Sequence, residues 1–156
     1  IGSEYINDTL NSGDKNSSGI LHQDVTKLSF SNDSFKIVLS FDVFEHVPHF
    51  KKAFEESFRV LKKDGKLIFT VPFLVGEDKT LIRARILSNG DIKHFCKPEY
   101  HGDPMESENG ILCFQHFGWD LINLLKEIGF KDAYAKVGFS INFGFATPQL
   151  SFIAEK

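Results

Sequence analysis

The chain has 156 residues, 42% hydrophobic and 25% charged, the profile of one soluble globular domain large enough to bury a core. A net charge of −3 excludes the basic face of a general nucleic-acid or membrane-surface binder, so neither partner is expected. Cys96 and Cys113 form no CxxC pair and no disulfide framework, and no stretch has membrane-spanning length, so a cytoplasmic setting is expected.

Ile1–Ile6 is a short predicted strand with Glu4 near its end, and starting on Ile1 leads us to expect natural sequence upstream. Residues 7–19, rich in Asn, Ser, Asp and Gly, predict a solvated loop. Ile20–Val25 is the next predicted strand, closing at Asp24, and Asn32-Asp33 predicts a tight bend. Lys36–Ser40 predicts a third strand, followed by the polar corner Phe41–Pro48. His49–Lys62 predicts a helix, because Phe50, Ala53, Phe54, Phe58 and Leu61 make one apolar stripe opposite Lys51, Lys52, Glu55 and Glu56. Pro48 suits the first turn and Gly65 the stop. Lys66–Pro72 predicts a strand buried on both faces. Strand, helix, strand implies a parallel pair with a right-handed crossover, and the corner then lies at the carboxyl end, where open α/β sheets hold ligands.

Phe73–Cys113 lacks a long periodic pattern and predicts an irregular lid or insertion. Gln115–Ile128 predicts the second helix, with Phe117, Leu121, Leu124, Leu125 and Ile128 on one face and Gly129 as cap. Lys131–Phe139 and Gln149–Ala154 predict two closing strands, an antiparallel pair. The order predicts a single α/β domain over 1–156, a three-layer sheet that is mostly parallel. Seventeen Phe read as the default large core residue.

Three stretches together resemble the class I S-adenosylmethionine-dependent methyltransferases of the small-molecule type. They are the block from Leu21 to Phe73 with its Glu45-His46-Val47 corner and Arg59-Val60-Leu61-Lys62 helix end, the segment EYHGDP with the later FQHFGWDLINLLKEIGF, and the C-terminal strands. The resemblance implies a Rossmann-like sheet and S-adenosylmethionine as cofactor. It implies that Glu4 accepts the ribose hydroxyls, that Asp24 binds the adenine amino group with Val25 beside the ring, and that Phe41 and Asp42 face the methionine end. The bland alternatives are a strand-end acid at Glu4 and helix caps at Asp42 or Glu45. The family's glycine-rich loop is absent from these residues, so its first strand is expected to be missing and the chain N-terminally truncated.

Methyl transfer needs acceptor and donor held in line, and a base where the acceptor carries a proton. His46, His101 and His116 are the candidate bases, with Asp103 as an orienting partner; Arg83, Tyr100 and Asp103 are candidates for binding a small-molecule or glycan-like acceptor. His94, Cys96, His101, Cys113 and His116 match no zinc signature, so no metal is expected. A non-catalytic binding or scaffolding module of the same fold is the alternative function, and a homodimer through the incomplete sheet is an expected assembly.

Overall fold

The structure is a computed structural model that describes residues 1–103 and 106–156, with the side chains at 103, 106–109, 145 and 146 outside the description. Strands β1 (Ser3–Glu4) and β2 (Leu21–His22) pair in parallel as a small sheet of their own. Next come β3 (Phe35–Phe41), a 3-10 turn (Phe44–His46), α1 (Phe50–Val60) and β4 (Leu61–Thr70). The segment expected to be irregular holds β5 (Leu81–Ile82), β6 (Ala84–Ile86), β7 (Ile92–His94), β8 (Tyr100–Asp103) and β9 (Glu106–Leu112). After it come β10 (Gln115–His116), α2 (Asp120–Ile128), β11 (Asp132–Ser140) and β12 (Phe145–Glu155).

The main sheet runs β11-β12-β4-β3. Its β3–β4 pair is parallel and joined through α1, as the strand-helix-strand pattern predicts. The β11–β12 and β12–β4 pairs are antiparallel, so this sheet has a smaller parallel share than expected. The segment expected to be irregular folds instead into two antiparallel hairpins, β6–β7 and β8–β9, while β5 pairs with β10.

Two boundaries differ from the sequence pattern for local reasons. The first helix ends at Val60 because Leu61 already pairs with Phe35; residues 62–65 then bulge out before Lys66 pairs with Ile37, with Asp64 at φ 61°. The second helix begins at Asp120, five residues late, because Gln115–Phe117 is extended against the preceding segment and Gly118-Trp119 turns into the helix. Phe117 N–H donates to Pro72 O at 2.9 Å and Trp119 N–H to Glu77 O at 3.1 Å. A Cβ on Gly118 would lie 2.5 Å from the Lys79 carbonyl, so this close approach requires glycine.

One face of the sheet buries Leu67, Phe69, Ala133, Phe152 and Ala154 against Ala53 and Phe54 of α1 and Leu121 and Leu125 of α2. Phe54 is the centre of a ring cluster, with centroids 4.2 Å from Phe44, 5.3 Å from Phe69 and 6.1 Å from Phe117. Much of the phenylalanine is core, as expected, whereas Phe41, Phe95, Phe139 and Phe143 are exposed. Side chains alternate across a strand, so Ile37, Leu39 and Phe41 point the other way, and they are 56%, 59% and 57% exposed. Leu39 is in register with Ile68, Ile153 and Tyr134 across that face. Among the described residues the helices cover one face, giving two layers where three were expected.

Candidate functional site

The corner at the carboxyl end of β3 is built by tight hydrogen bonding rather than by glycine. Asp42 takes φ 52°, a left-handed conformation that aspartate tolerates better than most residues. Its N–H donates to Thr70 O at 3.2 Å, and the Thr70 hydroxyl donates to Asp42 Oδ1 at 2.8 Å, tying β3 to the end of β4. Phe41 and Asp42 stand exposed there.

Beyond the corner, the 3-10 turn is clamped from the β10 side. Gln115 is buried, and its Nε2 donates to Phe44 O at 2.6 Å and to Val47 O at 3.0 Å. Phe114 N–H donates to Glu45 O at 2.8 Å. The turn therefore drives Glu45 inward: its side chain is fully buried, and neither carboxylate oxygen has a hydrogen-bond partner among the described residues. Burial pushes the Glu45 carboxyl up to about 7, helped by the nearby Asp42 charge and opposed by His101. The groups nearest it are histidines, His101 Nδ1 at 3.7 Å and His46 Nε2 at 3.8 Å from Oε1.

Glu99, between β7 and β8, is the second hub. Its Oε1 lies 3.0 Å from His101 Nε2 and 3.1 Å from His116 Nε2, and its Oε2 lies 2.9 Å from Arg83 Nη2. These donors hold the Glu99 carboxyl below its usual range, the His101 hydrogen bond first among them. Arg83 also donates to Lys97 O at 3.0 Å. Cys113 is buried in the same place; burial and then the charges of Glu99 and Glu45 push its thiol up to about 11, and its Sγ donates to Gln115 O at 3.4 Å.

The structure thus gathers His46, His101, His116 and Arg83 of the predicted site, with Tyr100 exposed at the start of the same hairpin. Arg83 is engaged by Glu99 and Lys97, which makes it a brace of the insertion more than an open acceptor contact. Asp103 ends β8, and its side chain lies outside the described residues. Glu4 is exposed at the end of β1, beside an open groove of about 690 Å³ lined by Ile1–Glu4, Lys15 and Gly19–Leu21. Asp24 caps its own turn: Oδ1 accepts from Thr26 N–H at 2.8 Å and from Thr26 Oγ1 at 2.7 Å. Val25 packs partly buried against the main core. No hydrogen bond or ion pair among the described residues joins Glu4 or Asp24 to the Asp42 corner.

Sequence reasoning missed Glu99 and Gln115 altogether and weighed Glu45 only as a cap. Glu45 carried a signal, since Phe44 and Glu45 precede a histidine in a segment too short for a helix. Glu99 carried none, because its role depends on pairings formed from four separate strands and loops.

Residues 3–69 match the model of a methyltransferase-domain family. No curated protein matches the chain. Among solved structures, an S-adenosylmethionine-dependent methyltransferase from Mesorhizobium loti superposes with a TM-score of 0.55 at 16% identity, covering 90% of this chain and 72% of that one. One from Methanosarcina mazei gives 0.52 at 20% identity, covering 88% and 66%. The Burkholderia thailandensis 1,6-didemethyltoxoflavin-N1-methyltransferase, solved with that compound and S-adenosylhomocysteine bound, gives 0.51 at 14% identity, covering 88% and 50%. The chain therefore has an α/β methyltransferase fold and spans half to about three quarters of these relatives. No helix is long and apolar enough to cross a membrane.

Proposed function

We propose that the protein takes part in methyl transfer from S-adenosylmethionine to a small-molecule acceptor. The observation that carries this reading is the Asp42 corner, a carboxylate fixed at the carboxyl end of a parallel strand pair, within the segment that matches the methyltransferase-domain family. The residues present suit the parts of the cofactor assigned to them. Glu4 offers an exposed carboxylate beside a groove, and Phe41 and Asp42 offer an apolar face and an acid side by side. Asp24 offers the adenine amino group less, since one of its oxygens is committed to Thr26.

The bound cofactor supplies an activated methyl group, and the protein's part is to hold the acceptor in line and accept any proton released. His46, His101 and His116 lie together beyond the corner and are the groups for that proton, with Tyr100 at the rim as the acceptor contact. A homodimer and a cytoplasmic location remain part of this reading. A second reading, a non-catalytic binding module, draws its support from the exposed Ile37-Leu39-Phe41 face. Calorimetric titration of the natural full-length protein with S-adenosylmethionine separates the two. Methyl transfer requires saturable binding near one equivalent, and no detectable heat at millimolar cofactor contradicts it.

A further inference from the structure

The geometry points to a divalent transition-metal site formed by Glu45, His46 and His101. Three features of these side chains make a cation the fitting occupant. The Leu112 carbonyl can only accept, so the 2.9 Å contact from His46 Nδ1 puts the hydrogen on that nitrogen, and Nε2 lies 3.8 Å from Glu45 Oε1. Glu99 does the same for His101. Its carboxylate accepts from Nε2 at 3.0 Å, which leaves the Nδ1 lone pair facing Glu45 at 3.7 Å. Fixing one ring nitrogen on a carbonyl or carboxylate so that the other can ligate is the arrangement metal-binding histidines use.

The third feature is Glu45 itself. A fully buried carboxylate with no hydrogen-bond partner among the described residues is costly, and a bound cation removes that cost. The donor atoms are 3.7 and 3.8 Å apart along the two edges that meet at Glu45 Oε1. Bonds of about 2.0–2.1 Å in a tetrahedron set such edges at roughly 3.3–3.4 Å, so these two edges are within a few tenths of an ångström of ligating geometry, and all three donor atoms lie within 4.8 Å of one another. Two imidazoles and one carboxylate suit zinc or a neighbouring transition metal, whereas magnesium and calcium prefer oxygen donors throughout.

A competing set, Glu99, His101 and Cys113, also lies within reach of one ion. It is the poorer site. Both Glu99 oxygens already accept from Arg83, His101 and His116, and Cys113 is a buried thiol donating to Gln115 O. The inference rests on donor geometry and stands whether or not the methyltransferase reading holds. If both hold, ligation removes His46 and His101 as proton acceptors and leaves His116.

The test is equilibrium dialysis of chelator-treated protein against zinc, with bound metal measured by mass spectrometry and thermal unfolding followed in parallel. We expect about one zinc per chain and a rise in unfolding temperature. Glu45→Gln, which removes a buried charge and so should fold, should weaken binding at least tenfold, as should His101→Ala. His94→Ala, an exposed residue of β7 outside the cluster, should bind as wild type does. Absence of zinc from the wild type overturns the proposal. So does undiminished binding by Glu45→Gln, including the outcome in which Cys113→Ser abolishes it, which would place the ion on the Glu99 side.

Discussion

Glu45 and Glu99 sit on either side of the His101 ring, yet they are opposite kinds of carboxylate. Glu99 is partly exposed, and donors from three side chains hold its carboxyl below the usual range. Glu45 is buried without such donors, and its carboxyl is pushed up to about 7. The first is a satisfied structural hub. The second is strained, and strain of this kind persists where the surrounding structure enforces it and a ligand can relieve it. Here the enforcing group is Gln115, which clamps both ends of the turn that carries Glu45.

Removing that clamp should have the largest effect. Gln115→Ala leaves the Phe44 and Val47 carbonyls without their buried donor and should cost about 3 kcal/mol in chemical denaturation. A loss under about 1 kcal/mol would mean that the turn holds itself.

Next in size is Glu45→Gln in chelator-treated protein. Between pH 4.5 and about 7 the native Glu45 keeps a proton that the unfolded chain has released, so its contribution to stability falls as pH rises through that window. The wild type should therefore lose up to about 3 kcal/mol relative to the variant from pH 4.5 to 8. The difference between the two proteins reports Glu45 together with its coupling to Asp42, His101 and Cys113, and removes the groups that do not interact with it. A flat difference would show that the carboxyl is not buried in solution.

How much of this was legible in the sequence follows from how far apart the partners are. The β3-α1-β4 unit was readable because its apolar stripe and strand runs are local periodic patterns, and the β11–β12 pair for the same reason. The hairpins of 81–112 were not, because β6, β7 and β8 are short and lack clean alternation. The histidines were flagged by residue type, but their grouping depends on Glu99 and Leu112, whose contacts with them span between 2 and 66 positions of sequence, and on the Gln115 clamp 71 positions from Phe44. The late start of α2 was hidden too, since it depends on the Gly118 approach to Lys79.

Smaller effects are expected on the two sides of the site. Asp24→Ala in a cofactor-binding protein should weaken S-adenosylmethionine affinity by about 1–3 kcal/mol. Unchanged affinity would leave Asp24 as a turn cap only, the role its bonds to Thr26 already fill. Glu99→Gln should cost about 1 kcal/mol of stability, since the carboxylate it removes is partly exposed and solvent weakens its ion pair with Arg83. A loss as large as that of Gln115→Ala would make Glu99, not Gln115, the keystone of the cluster.

The reading of the protein as a methyltransferase depends most on the Asp42 corner. The direct measurement is the calorimetric dissociation constant of S-adenosylmethionine for the full-length protein and for Asp42→Asn, which keeps the size of the side chain and a tolerance for the left-handed backbone while removing the charge. Saturable binding by the wild type and at least tenfold weaker binding by the variant is the predicted result. Equal affinity in the two proteins would place the cofactor elsewhere and contradict the account.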